Sequence, residues 1–401
     1  MSTLAPLRGY PRMDGRKGIR NVMLVVYLVE CAHHVAREIA RRFSPQEVQC
    51  IGFAGCYPNA YAQEMLQALC THPNVGGALL VSLGCEGFNR PALEQAVRGS
   101  GRPVHSLVIQ QSGGTRATQQ AGVDWLEQTL PELRQLQAVP MGWSELSVGT
   151  ICGGSDATSG LTANPAMGVA FDLLIAQGGT AIFEETGELI GMEELMAERA
   201  RTPELGQALR DSVAKAARYY TTMGYPSFAP GNADGGLSTI EEKSLGAYAK
   251  SGQSRIDGLI KPGTRPPTGG LFLLDVVPDG EVRFGFPNIN DNAEIAELMA
   301  CGCQLILFST GRGSVVGSAI APVLKVCANP DTYRRMREDM DVDAGRILEG
   351  RATLPEVGQE IFDLMGQVGS GALTCSEALG HQEFILTYKR FEPAGPSCLP
   401  R

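Results

Sequence analysis

"GGALLVSLGCEG" (residues 76–87) decides how this chain is read. Residues 76–83 form an almost unbroken apolar run. A strand buried on both faces needs such a run, whereas a half-exposed strand alternates apolar with polar residues. The run stops at Gly84, so Cys85 and Glu86 stand at the tip of a strand. The same pattern recurs on either side. "NVMLVVYLV" (21–29), "VQCIGF" (48–53) and "VHSLVIQ" (104–110) are further strand-like runs. Between them lie "AHHVAREIARRF" (32–43), with Val35, Ile39 and Phe43 at near-helical spacing, "AYAQEMLQALC" (60–70), "PALEQAVRGS" (91–100) and "ATQQAGVDWLEQTL" (117–130). Strand–helix alternation predicts an α/β fold with a doubly wound parallel sheet.

The pattern resets over residues 131–150, where prolines suggest a crossing segment. The expected organisation is an N-terminal α/β domain over residues 1–140 and a second α/β domain over 141–401. The second part carries the loops "CGGSDATSG" (152–160), "EEKSLG" (241–246) and "STGRGS" (309–314). Residues 224–290 are rich in Gly, Pro and Asn and give no clear element pattern.

Composition narrows the function classes. A net charge of −9 without a basic run argues against nucleic acid as partner. The longest apolar run near the N-terminus, "VMLVVYLV", is too short to span a bilayer, and no signal-peptide core precedes it. A cytoplasmic protein is expected. Eleven scattered cysteines then read as thiols or metal ligands rather than disulfides.

The chemistry is expected at the carboxyl ends of the strands, where ligands bind in doubly wound sheets. Cys31, Cys56 and Cys85 each follow one of three successive strands, and Cys152 ends a fourth strand-like run. For any one of them a small core residue is the commoner explanation. Three at equivalent positions point to convergent thiolates, which favour iron–sulfur clusters or zinc. "STGRGS" offers Gly311, Gly313 and Ser314 as an anion nest, with Arg312 as a fork onto a carboxylate. A tight loop with a solvated arginine is the plainer reading. Ser155 and Asp156 suit a hydroxylated substrate, and Arg20 and Asn21 either bind a carboxylate or cap the base of the sheet. Glu185, Lys243 and His34 are candidate acid–base groups; a solvated pair, a surface salt bridge and a surface histidine are their plainer readings. A base role at Lys243 requires that burial depress its pKa. There is no Ser-His-Asp triad, Walker loop or GxGxxG fingerprint.

Taken in order, the motifs "GYPRMDGRKGIRN", "THPNVGGALLVSLGCE", "CGGSDATSGLTANPAMG", "GGTAIFEETGE", "PGNADGGLSTIEEKSLGA", "LILFSTGRGSVVGS", "KVCANPDTY" and "DMDVDAG" resemble the large subunit of the altronate/galactarate dehydratase family. That family also includes the large subunit of (2R)-sulfolactate sulfo-lyase. The resemblance covers roughly residues 9–385 and implies an iron-dependent lyase that eliminates a group β to a carboxylate. It implies iron as Fe2+ or an iron–sulfur cluster, with cysteine expected at positions 31, 56, 85 and 152.

Two departures shape the substrate expectation. The family's sugar-acid enzymes begin with an additional small domain, whereas here "GYPRMDGR" comes almost at once, so a separate small subunit is expected. The segment around Cys56 reads "GFAGCYPNAY", with Tyr57, Pro58 and Asn59 in place of the family's polar and glycine residues and without its histidine. Sulfolactate, giving pyruvate and sulfite, is therefore favoured over a sugar acid such as altronate or galactarate. A non-catalytic metal-binding subunit is the reading from another class. An oligomer is expected.

Overall fold

The computed structural model describes residues 6–57, 60–224, 230–281, 290–387 and Lys389. The chain opens with β1 (Leu7–Pro11), β2 (Lys17–Gly18), β3 (Val22–Tyr27), α1 (Glu30–Ala40), β4 (Val48–Gly52) and α2 (Ala60–Cys70). It continues through β5 (Val75–Ser82), α3 (Arg90–Gly99), β6 (Val104–Val108), α4 (Thr115–Gln135) and β7 (Val139–Met141). Next come β8 (Ser147–Cys152), α5 (Ala163–Ala176), β9 (Thr180–Phe183), α6 (Glu193–Glu198), α7 (Pro203–Met223), α8 (Pro230–Asp234) and α9 (Ile240–Ala249). Then β10 (Ile256–Ile260), β11 (Gly270–Leu274), α10 (Asp291–Ala300), β12 (Leu305–Thr310) and β13 (Val323–Cys327) follow. The last elements are α11 (Pro330–Arg335), β14 (Val342–Asp343), α12 (Leu354–Gly369) and α13 (Cys375–Leu379).

Every residue of β5 is buried, as its apolar run requires. It lies in a parallel sheet of order β4-β3-β5-β6. Helices α1 and α4 pack on one face through Val35, Ile39, Leu126 and Leu130. Helices α2 and α3 cover the other through Met65, Leu66, Leu93 and Val97. The expected doubly wound sheet is present, and strand order reverses between β3 and β5. The expected break at residue 131 is a helix instead. Helix α4 runs through Pro131 to Gln135, because Leu130 and Leu133 still pack on the sheet. That burial offsets the hydrogen bond that proline cannot make.

The second sheet is also parallel, with order β10-β11-β9-β8-β12-β13-β14. Its order reverses at β8 and β12. One face packs on α5 and α12, and the other on α10. Residues 224–290 include β10 and β11, short glycine-bearing strands that complete this sheet. A small antiparallel sheet, β2-β1-β7, lies against α12. The two parallel sheets share a core: Leu24, Val26 and Ile51 of the first pack in one cluster with Ile182 and Phe272 of the second and with Ile295 of α10. Among the described residues no helix is long and apolar enough to cross a membrane.

Candidate active site

The apolar run of β8 ends at Cys152, which is 3% exposed and flanked by β9 and β12. This is where the strand order of the second sheet reverses. Gly153 and Gly154 turn the chain sharply there, Gly154 at φ +60°. A Cβ on Gly153 would sit 2.0 Å from the Asp291 carboxylate, so only glycine lets the start of α10 approach the strand end. Strand β9 ends beside β8, and Glu185 follows it at φ 78°, ψ 48°. It is the one non-glycine residue at positive φ among those described. Such conformations cost about 1–3 kcal/mol and persist where the surroundings over-determine them. Here the strain turns the Glu185 carboxylate toward Cys152: one oxygen accepts the Cys152 amide at 3.3 Å and lies 3.1 Å from its Sγ.

Helix α9 lies over this strand end and brings two lysines seven residues apart to one side, Lys243 within it and Lys250 at its C-cap. Lys243, 3% exposed, donates to Cys152 Sγ at 3.0 Å and to Ser155 Oγ at 3.2 Å, and pairs with Glu188. Lys250, fully buried, pairs with Glu185. Burial pushes the Lys243 pKa down, but negative charge at Cys152 and Glu188 outweighs it and the net shift is upward. This is the reverse of what a base at Lys243 requires; the site holds it as an ammonium. Cys152, Glu185 and Glu188 place one ligand atom each within 4.8 Å of one another, a thiol and two carboxylates able to hold a metal ion.

Acid groups crowd this centre. Asp291 is pushed up to about 6 by burial and by the charge of Glu188. Glu184, 1% exposed, is raised well above the usual range by burial and by Glu294. Neither of its carboxyl oxygens has a hydrogen-bond partner among the described residues.

Cys152, Ser155, Glu185 and Lys243 are thus brought together, and Asp156 lies beside them in a tying role. One Asp156 oxygen accepts from the Thr158 amide and hydroxyl and the other from Asn329 at 2.9 Å, which fixes the loop after β8 to the loop after β13. The loop after β12 is close by, but its amides are spent internally. Those of Gly311 and Arg312 both donate to the Gly154 carbonyl, and that of Gly313 to Thr310 Oγ1. The expected nest at these amides is therefore not open to a ligand. Ser314 Oγ accepts from the Val316 amide. The Arg312 guanidinium stays 45% exposed at the rim, on the Gly231 carbonyl and 4.0 Å from Asp234.

Arg20 and Asn21 are not part of this centre. Arg20 is forked onto Glu377 and bonds the Val368 and Ala372 carbonyls, while Asn21 donates to the Leu133 carbonyl. Both fasten the base of the first sheet, the plainer of their two readings. His34 is exposed on α1. Cys31, Cys56 and Cys85 are exposed at neighbouring strand ends, linked by the bonds from Glu30 N–H to Ala54 O and from Gly87 N–H to Cys56 O. Sulfurs sharing one tetrahedral ion at bonds of about 2.3 Å lie roughly 4 Å apart. These three thiols are outside the only set of three or more such groups within 4.8 Å among the described residues. Glu86 folds back onto Ser82 and the Gly84 amide. Pro58 and Asn59 lie outside the described residues.

Glu188, Lys250 and Asp291 escaped the sequence reading. Glu188 closes the "IFEETGE" stretch, and Lys250 repeats Lys243 at heptad spacing. Asp291 follows Asn290, whose side chain caps α10.

Two family models match. "D-galactarate dehydratase/Altronate hydrolase, second domain" covers residues 9–134, and "D-galactarate/Altronate dehydratase, C-terminal" covers residues 143–391. The chain belongs to the galactarate/altronate dehydratase family. The altronate dehydratase of Escherichia coli is 32% identical over 395 residues, 94% of this chain and 76% of that protein. The (2R)-sulfolactate sulfo-lyase subunit beta of Chromohalobacter salexigens is 34% identical over 391 residues, 94% of this chain and 96% of that protein. The galactarate dehydratase (L-threo-forming) of E. coli is 32% identical over 389 residues, 90% of this chain and 72% of that protein. As a member of a family of dehydratases and a sulfo-lyase, the chain is an enzyme of the lyase class.

Proposed function

We propose that the buried centre at the ends of β8 and β9 eliminates a group from C3 of a small 2-hydroxy acid, leaving a 2-keto acid. The observation that carries this reading is the pairing of two buried ammonium groups with Cys152, Glu185 and Glu188 where the strand order reverses. The reaction removes a weakly acidic C2 proton while negative charge builds on the carboxylate side, and fixed cations stabilise that charge where it develops. Lys243 and Lys250 are the fixed cations. Asp291, titrating near the working pH and against the turn at Gly153, takes the C2 proton. Arg312 at the rim clamps the outer anionic group of the substrate, with Ser155 oriented by Lys243 toward the C2 hydroxyl.

The donor set fits a divalent ion of intermediate softness, and iron is the metal proposed. Iron held by Cys152, Glu185 and Glu188 would supply Lewis-acid polarisation of the substrate oxygens. A second reading, a cluster on Cys31, Cys56 and Cys85, rests on their neighbouring positions where the first sheet reverses order. Iron and acid-labile sulfide analysis of anaerobically purified protein separates the two. Iron without sulfide, lost in Cys152→Ser, supports the first; sulfide lost in Cys85→Ser supports the second.

Sulfolactate is the substrate proposed, because "GFAGCYPNAY" departs from the sugar-acid pattern at Cys56. A partner small subunit is proposed with it, in line with the subunit designation of the Chromohalobacter relative. The test is a substrate panel, run with any co-purifying partner, that scores sulfite and keto acid separately. Keto acid from altronate without sulfite from sulfolactate would transfer the reading to a hydro-lyase. Inactivity toward both substrates, with metal and partner bound, would favour a binding subunit.

A further inference from the structure

The motif "RMDGRKG" (12–18) takes no part in the centre described above. It lies at the amino ends of the first sheet's strands, the opposite end from Cys31, Cys56 and Cys85. A cavity of about 600 Å³ opens there, lined by Asp14, Arg16, Thr71, Ser100, Thr264 and Arg265 among others. A second cavity of about 270 Å³ shares Arg16 and Arg265 with it.

Four guanidinium groups gather at this place in a chain of net charge −9. Arg12 donates to the carbonyls of Pro73 and Arg20. Arg102, 5% exposed, donates to the carbonyls of Val75, Ser100 and His72. Neutral carbonyls satisfy the donors but leave the charge in place. Arg16 is held by Asp14 and by the Thr71 carbonyl. Arg265, exposed on the same lining, has no hydrogen-bond or ion-pair partner among the described residues. Glu64 also lines the cavity and has contacts of its own. The arginines repel one another: burial and then Arg102 lower Arg12 to about 9, and burial and then Arg16 lower Arg102 to about 10 and also lower Arg265.

We propose that this cavity binds the phosphate group of a small phosphate monoester, clamped between Arg16 and Arg265. Guanidinium forks match phosphate oxygens: Arg265 has its whole fork free and Arg16 keeps Nη1 beside the Nε and Nη2 held by Asp14, while Thr264 lies on the same lining and the Ser100 hydroxyl is spent on the Val97 carbonyl. An inorganic anion would fill only a fraction of the space, whereas cavities of about 300–1,000 Å³ suit ligands with an organic body. The site is independent of the lyase reading, since it shares no residue with the Cys152 centre.

Isothermal titration of the full chain tests this at fixed ionic strength set with sodium chloride, using inorganic phosphate and ribose 5-phosphate as probes. Ribose 5-phosphate binds saturably and more tightly than phosphate, and Arg265→Ala weakens it at least about tenfold, the loss of one charge-assisted contact. Arg265 is exposed and unpaired, so the variant keeps the parent's unfolding midpoint and its turnover without the ester. No saturable heat with either probe, an ester no tighter than phosphate, or equal affinity in Arg265→Ala would each overturn the proposal.

Discussion

His72 is locked in its neutral form by what surrounds it. Its Nε2 lies 3.0 Å from the Cys303 carbonyl and its Nδ1 accepts the Asn74 amide at 3.1 Å, so a second ring proton would face an N–H. Burial, then the nearby Arg16, Arg102 and Arg12, push its pKa down to about 3. A histidine whose folded pKa lies below its unfolded value of about 6.5 stabilises fully above pH 6.5 and loses that contribution as pH falls toward 3. Urea denaturation at pH 7, 6 and 5 should show stability falling by up to about 1.4 kcal/mol per pH unit. His72→Gln, which has no ring to protonate, should flatten that slope; an unchanged slope assigns it to other groups. At the proposed active site, Asp291→Asn should lower kcat by about 10²–10⁴-fold. Lys243→Met should do likewise while Lys243→Arg recovers little, because only the ammonium reaches both Cys152 and Ser155. Steady-state kinetics with metal content measured in parallel distinguishes lost chemistry from lost metal. Cys152, Glu185 and Lys243 were legible in the sequence because Cys152 ends a strand-like run, Glu185 follows one and Lys243 stands in a polar helix start. Asp291 and Lys250 were not, since their approach depends on how α10 and α9 lie against the strand ends. The pKa direction of Lys243 was equally hidden, because it is set by Cys152 and Glu188, residues distant in sequence.

Strand ends and their loops are the elements that build the centre, and the loop after β8 is the most heavily tied. Asp156, 4% exposed, accepts from Thr158, Ser159 and Asn329. Its carboxyl group also fills the space a Cβ on Gly311 would need, at 2.1 Å. Asp156→Ala removes a charged acceptor from several buried donors at once. The expected cost is about 2–4 kcal/mol, from hydrogen bonds to a charged group worth about 1.5–3 kcal/mol and donors left unsatisfied. Activity should fall more than stability, since the same loop positions Cys152 and Ser155. Chemical denaturation beside an activity assay reads both, and a variant with full activity would remove Asp156 from the positioning role. The strands themselves were readable because parallel sheets buried on both faces demand continuous apolar runs, as "GGALLVSL" shows. Pro131 predicts an end to helix α4, because proline breaks helices in isolation, whereas Leu133 keeps this one on the sheet. Strands β10 and β11 were missed because "IDGLI" and "GLFLL" are short and stand amid loop residues.

At the scale of the whole molecule, the two sheets are joined through α2 and α10, and Lys389 reaches into that seam. Glu297 on α10 is fully buried and accepts from Tyr61 of α2 and from Lys389, at 2.8 Å for the lysine. Burial raises the Glu297 pKa, and Lys389 opposes that rise. Lys389→Met therefore leaves a buried carboxylate without its cation. Breaking a buried pair in this way costs about 3–5 kcal/mol. The loss should fall on the seam, so amide exchange in α2 and α10 should accelerate ahead of that in the outer helix α1. Glu297→Gln in the same chain removes the orphaned charge and keeps an acceptor for Tyr61, so the double variant should recover most of the stability. A double variant no more stable than Lys389→Met alone would mean that Lys389 acts through the packing of its side chain rather than through charge. Equal stability of Lys389→Met and the parent would mean that Lys389 does not hold the seam at all.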